Sequence, residues 1–393
     1  MRDRQELIST LSSRLLAMAS SFGLVMISSL LLGAEGRGYI SLTITDAALV
    51  AIFSNILSGS SAMFYLHKIS PGKVFYTALL WIIVCSFLGS GILSLIHTSP
   101  FLLLFLLCVA LSFHSLIFNQ LFANQKFIQG NVLTVLVQFT FLVGLLPFLI
   151  FKWSINWEMY FVFQISIWFI FSLIFLKPLK IEFVDFTQLK KIFSYGFKNE
   201  LSFFFQFLSY RLSYFFVFHQ LGVSSLGVFG VMVIIAESVW VISKSFSSVS
   251  FAKQLQDEDL SRSIERTNYY TKLSFLLSSI VLFVLIIIPE NWYVLIFSKE
   301  FRGLKEILLI VSPGILAMSG STVIGHFFAA QNRQWVLILK SLAGVLITII
   351  LTPYMLDFYG IWGAALAMSI AHIVSSSVLF LKYSNVIKQK LSI

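Results

Sequence analysis

Apolar residues run in long unbroken stretches along this chain, separated by short polar breaks and glycines. Twelve such stretches recur, at approximately 11–32, 39–66, 74–96, 100–123, 131–151, 157–176, 195–221, 226–250, 271–289, 305–330, 335–356 and 361–381. At ~1.5 Å rise per residue, about 20 residues suffice to cross a ~30 Å hydrocarbon core as an α-helix. Strands of a membrane barrel would alternate at period two over about 10 residues, and these runs do not. The pattern predicts an all-α, polytopic membrane protein of about 12 transmembrane helices.

Composition points the same way. Of 393 residues, 58% are hydrophobic and 11% charged, against roughly 25% charged in soluble domains. The first apolar stretch has the basic head of a signal peptide, but it is long and further spans follow directly, so a retained helix is expected. Cys85 and Cys108 both lie in apolar runs and predict no disulfide framework. A net charge of +10 would suit nucleic acid, but its placement argues otherwise. With the N-terminus in the cytoplasm, the outer connections hold only Arg37, Lys152, Lys299, Arg302 and Lys305. Arg211, Lys244 and Lys340 fall within spans, and the remaining 19 of 27 Lys and Arg face inward. Both termini are therefore expected to be cytoplasmic. The basic face also suits anionic lipid head groups.

The chain halves near its middle. Residues 1–176 form a predicted N-terminal six-helix bundle, 177–194 a cytoplasmic linker and 195–393 a C-terminal six-helix bundle. Residues 251–272 read as a short amphipathic connecting helix with acids at its start. Gly33-Ala-Glu-Gly-Arg-Gly38-Tyr39 in the first half is echoed by Gly222-Val-Ser-Ser-Leu-Gly227-Val-Phe229 in the second. Phe122-Ala-Asn-Gln125 is echoed by Phe328-Ala-Ala-Gln331. Six helices per half give both halves one orientation, hence a parallel repeat with a pseudo-two-fold along the membrane normal and a site expected near the midplane.

Enzymatic motifs do not hold up. GAEGRG lacks the Gly-Lys-Ser/Thr ending, follows no strand, and reads as a tight turn. Arg37 beside Glu35 is still placed to touch an anionic group at the outer mouth. The six histidines are dispersed without metal-ligand spacing. Asp257-Glu-Asp259 sits in a connector with no domain to support it, and no outer loop exceeds about 16 residues. An enzyme, a metal and a cofactor are not expected.

The charges inside spans carry the functional signal. Glu237 and Lys244 lie on one face of the eighth helix, with Gly230 and Ser248. On the seventh, Asn199, Ser202, Gln206, Ser209 and Ser213 form a polar stripe suited to helix packing. Arg211 projects nearly opposite, with Glu200, Phe207, Tyr214 and Phe218, towards a cavity; the reverse assignment fits the sequence too. An arginine at mid-membrane costs at least ~2.5–3.5 kcal/mol, so a return is required. One reading is an ion pair with Glu237, a poor source of stability; the other is a cation that binds an anion. They overlap if protonation of Glu237 releases Arg211. Lys340, one and a half turns inside the eleventh helix, is expected to snorkel to the cytoplasmic surface. Asp46 lies two turns below the outer end of the second helix, and Arg14 at the inner end of the first.

Tyr195-Gly196, the Arg211 segment, Leu221-Gly222…Leu226-Gly227-Val-Phe229, Glu237-Ser-Val-Trp240 and Leu32-Gly-Ala-Glu-Gly-Arg-Gly38-Tyr39 together resemble the polysaccharide-biosynthesis (O-antigen) flippases. These belong to the multidrug/oligosaccharidyl-lipid/polysaccharide (MOP) exporter superfamily. The resemblance implies two six-helix bundles around a cationic cavity, alternating access, and a polyprenyl-diphosphate-linked oligosaccharide as substrate. Ser213 stands where the family often has an acid, and Phe251 where it often has proline; the first leaves Glu237 as the better coupling candidate.

The function expected is that of a lipid-linked oligosaccharide flippase of a bacterial cytoplasmic (inner) membrane. Its candidate substrate-binding residues are Arg211, Lys244, Glu237, Asp46, Arg14, Arg37 and Lys340. Arg211 and Lys244 would attract the diphosphate, with Glu237 balancing their charge. Expected partners are an undecaprenyl-diphosphate-linked glycan, membrane lipids, and a glycan polymerase with its chain-length machinery. The alternatives are a cation-coupled drug antiporter of the same superfamily and a membrane glycan polymerase or acyltransferase. The last would call for a large outer loop or catalytic His/Asp pairs.

Overall fold

The computed structural model describes residues 2–66, 68–97, 99–177, 179–254 and 259–391, with the side chains of all but 2–11, 14, 15, 252 and 391. Among the described residues every regular element is helical. In chain order they are α1 (Arg2–Ser58), α2 (Ser60–Tyr65), α3 (Pro71–His97), α4 (Phe101–Ala123), α5 (Phe127–Ile150) and α6 (Trp157–Phe175). There follow α7 (Phe186–Gln254), α8 (Leu260–Ile287), the short α9 (Glu290–Phe297), α10 (Leu304–Ala330) and α11 (Gln334–Leu391).

Three helices, of 57, 69 and 58 residues, have well over twice the length a membrane needs, and each breaks at one glycine. Gly33 in α1 has φ 66° and ψ −168°, Gly222 in α7 has φ 82° and ψ 178°, and Gly360 in α11 has φ 55° and ψ −138°. A Cβ makes such backbone angles costly, so the sequence places the break where no side chain opposes it. Nine helices among the described residues are long and apolar enough to span a membrane; with three of them divided at their glycines, the spans number twelve, as expected. The predicted loops between paired spans shrink to single residues.

The echoes between halves have a conformational counterpart. Gly33 and Gly222, the first residue of each glycine motif, share nearly the same angles. In the second echo the turn residues of positive φ are Gln125 and Asn332, both at 56°. Lys126 N donates to Leu121 O at 2.8 Å, and Arg333 N to Phe328 O at 2.9 Å. The turns therefore register Gln125 with Asn332, one residue away from the match of glutamines seen in sequence.

Among the described residues of 251–272 there is no separate connecting helix; 255–258 lie outside the described residues. α7 continues to Gln254, and α8 starts at Leu260 and runs unbroken to Ile287, with no Gly or Pro between. Asp259 caps it, Oδ1 accepting from Ser261 N at 2.8 Å, and this N–H holds the Asp259 carboxyl below its ordinary range.

The chain divides into two compact units, Met1–Phe204 and Phe205–Ile393, so the boundary falls inside α7. In the first, Ile82, Leu104, Phe141 and Phe161 are fully buried between α3, α4, α5 and α6. Residues 179–184 lie along α3: Tyr76 Oη donates to Leu179 O at 3.3 Å, and Val184 N to Thr77 Oγ1 at 3.1 Å. Gly72 permits this approach, since a Cβ there would collide with Lys180 O. In the second, α10 packs between α8 and α11, burying Phe327 and Phe328 against Ile264, Leu379 and Tyr383. Leu95, Leu102, Ile150, Ile174, Phe283 and Ile350 point outward, the apolar exterior expected of a bundle solvated by lipid.

Gly222 has nothing within 4 Å of where a Cβ would stand. Gly222→Ala should therefore lose only backbone strain energy, about 1–3 kcal/mol. Thermal unfolding in detergent should shift down by a few degrees, with the helical circular dichroism unchanged.

Candidate functional site

The strongest constellation lies in the second unit, where α7 folds back on itself past Gly222. Arg211, before the break, meets Glu237, after it: Nη2 stands 2.8 Å from Oε1 and 3.1 Å from Oε2. Nη1 donates to Tyr214 Oη at 2.8 Å, and the guanidinium lies 5.0 Å from the centre of that ring. Tyr214 is itself buried and packs edge-on against Phe229. Helical spacing explains the set, because Arg211 and Tyr214 are neighbours at i, i+3 on one face. The pair is not sealed: Arg211 is 24% and Glu237 28% exposed. Charge-assisted contacts of this kind fix the orientation of the guanidinium through its two terminal nitrogens.

Beside it is a trio of rings that sequence reading did not single out. Tyr210, Trp240 and His372 lie with centroids 5.2–5.8 Å apart, all at steep or tilted angles. Trp240 is anchored by Nε1 donating to Ile315 O at 3.1 Å, just past Pro313 in α10. His372 is fully buried and neither ring nitrogen has a partner among the described residues. Lys340 lies near His372. Contrary to the expected snorkelling, Lys340 is only 9% exposed. No carboxylate pairs with it among the described residues. The trio was legible only as one aromatic or histidine on each of three helical segments; nothing in the spacing says that they meet.

The polar stripe expected on α7 packs only in part: Gln206 is exposed, and Asn199 and Ser202 are half-buried. Ser209 and Ser213 are buried, and Gly344 of α11 faces Ser209 and Ser375, leaving no room for a Cβ. Lys244, expected with Arg211 at the ligand, is exposed and makes no hydrogen bond to Glu237. The structure does not bring the two cations together on one group.

In the first unit Asp46 is fully buried, and its carboxylate receives His97 Nδ1 at 2.9 and 3.0 Å. His97 ends α3, and its part in the site was not foreseen. Arg37 does not reach outward from its turn. It is 4% exposed, donates to Ser28 Oγ at 3.3 Å and bonds the Tyr160 hydroxyl, whereas Glu35 is exposed. The side chain of Arg14 lies outside the described residues.

No protein-family model matches the chain, and no curated protein does. Solved structures match over nearly its whole length. An inward-facing multidrug resistance MATE family transporter of the MOP superfamily aligns over 97% of this chain and 98% of its own, at 14% identity and a TM-score of 0.73. The lipid II flippase MurJ, in an inward closed conformation, aligns over 96% and 87%, at 15% identity and a TM-score of 0.74. The MATE multidrug transporter DinF-BH aligns over 96% and 95%, at 16% identity and a TM-score of 0.62. The chain thus shares the fold of these solved transporters and of this flippase. Its long apolar helices and this likeness make it a multi-pass membrane fold.

A double-mutant cycle measures the central pair. Arg211→Ala and Glu237→Ala should each destabilise the detergent-purified protein, and together by less than their sum. The coupling should be about 1–3 kcal/mol, read from denaturant unfolding; additivity would mean the pair is solvated and energetically idle.

Proposed function

We propose that the protein is a flippase that moves polyprenyl-diphosphate-linked oligosaccharide units across a bacterial cytoplasmic membrane by alternating access. Arg211 carries this reading. It is a guanidinium inside an apolar helix, held by Glu237 and Tyr214 and still a quarter exposed, in a fold shared with a lipid II flippase. A diphosphate offers acceptors that fit a guanidinium fork, and Glu237 balances the charge while no anion is bound. Lys340 and Arg37 add buried cations in the spans, as an anionic cargo would favour. The prenyl chain would remain in lipid while the glycan follows the polar path. Residues 1–176 and 195–393 are read as two six-helix bundles joined by 177–194, with both termini cytoplasmic.

A second reading has its own support. The likeness to MATE transporters fits a cation-coupled antiporter equally well. The trio of Tyr210, Trp240 and His372 offers ring faces near the Glu237 carboxylate's helix, chemistry that suits a flat organic cation.

Expressed in a host lacking its own flippase gene, Arg211→Ala should abolish surface glycan and leave lipid-linked units on the cytoplasmic face. Arg211→Lys should retain part of the activity, keeping the charge but losing the fork. Normal surface glycan from Arg211→Ala at wild-type protein level would remove the residue from the flippase mechanism. Dye efflux independent of any glycan lipid would establish the antiporter instead.

A further inference from the structure

The first unit contains a buried carboxylate with no role in the site above. α1 ends at Ser58 and α2 begins at Ser60, with Gly59 between them at φ −86° and ψ −130°. The first part of α7 is pressed onto this break. Its Gly196 has no side chain, and a Cβ there would collide with Ile56 O. Phe64 stacks on Tyr195 at 4.6 Å, and Trp81 and Phe53 meet Phe193 and Phe204 edge-on. Glu200, one turn beyond Gly196, is thereby pushed against Gly59: a Cβ on that glycine would stand 3.2 Å from Glu200 Oε1, 3.1 Å from Asn55 Cβ and 2.8 Å from Asn55 O.

Polar groups converge there. Asn55 Oδ1 accepts from Ser58 Oγ at 3.3 Å, Asn119 Nδ2 donates to Ser58 O at 3.0 Å, and Asn199 Nδ2 donates to Ser60 Oγ at 3.1 Å. Glu200 itself is only 6% exposed and has no hydrogen bond or ion pair among the described residues. No cation among them faces it. Residues 53–66 and 115–123 contain no ionisable side chain but Tyr65, which packs on Phe64 and Tyr195. Lys198, on α7 itself, is exposed.

An ionised carboxylate in such a place is costly unless a positive charge accompanies it. Broken helices in membrane transporters supply the carbonyl and amide oxygens that accept small cations. We propose that Glu200, with Asn55 and the Gly59 break, is a binding site for one monovalent positive charge, a proton or Na⁺. A single carboxylate among amide and hydroxyl oxygens, with no His or Cys beside it among the described residues, suits these hard ions and not a transition metal. α7 bears both this carboxylate and Arg211 of the central pair. The inference does not depend on which substrate is moved.

The test uses detergent-purified full-length protein and Glu200→Gln, an isosteric change. Proton uptake between about pH 9 and pH 5 should be about one proton greater for the wild type than for the variant. Calorimetric titration with NaCl against choline chloride decides the ion. Heat of Na⁺ binding lost in Glu200→Gln identifies Na⁺; a missing proton without any Na⁺ heat identifies a proton. Labelling of wild-type Glu200 by dicyclohexylcarbodiimide, read by mass spectrometry, gives a check that needs no variant. It should fall as pH rises, or on adding Na⁺. Equal proton uptake, no Na⁺ heat and labelling indifferent to both would overturn the site.

Discussion

Hydrocarbon offers a peptide group no hydrogen-bond partner, so a chain inside it must close its own backbone bonds or leave. Most of this molecule follows from that constraint. Helices run on until a residue can turn the chain without opening the ladder for more than one position, and Gly33, Gly222 and Gly360 do so at positive φ. The same constraint acts on side chains. Asp46 is answered by His97 and Arg211 by Glu237 and Tyr214. Lys340 and Glu200 stand out because the described residues give them no such answer.

Spans were legible because length and apolar content alone define them, and the all-helical membrane fold needed nothing more. The Arg211–Glu237 pair was legible for a related reason: two opposite charges in adjoining apolar helices have few other ways to be accommodated. Contacts set by tertiary packing were not. His97 stands at the end of a helix, and no periodicity says that it reaches Asp46 on another. Lys340 has the sequence position of a snorkelling residue, but packing on α11 buries it beside His372. Arg37 reads as an outer-loop cation, yet the turn is reduced to Gly33 and the following residues are helical, which carries its side chain inward to Ser28 and Tyr160. The polar residues 260–272 misled because their composition suggests a connector, whereas they are the first turns of α8, which runs on into its apolar part.

The second unit holds its site on unusually close helix contacts. Gly344 lets Ser209 of α7 and Ser375, beyond the Gly360 break of α11, come close to the first part of α11, and Gly314 N donates to Ser369 Oγ at 3.0 Å. Small residues at such crossings give helices in lipid a way to associate by packing and hydrogen bonding where no hydrophobic drive exists. With backbones this near, the orientation of Tyr210, Trp240 and His372 is set by helices rather than by loops, so the rings and the neighbouring guanidinium form a preorganised surface.

Because the first compact unit ends at Phe204, inside α7, residues 195–204 pack with the first unit although they follow the linker at 177–194. A gene divided there and expressed as two fragments would hand residues 195–204 to the wrong partner. Gly196 would be taken from Ile56, and Tyr195 from Phe64. Reassembly would then require the second fragment to insert that stretch into the first. For complementation, segmental isotope labelling or fusion to another bundle, a division near Phe204 instead keeps residues 195–204 with the side chains they pack against.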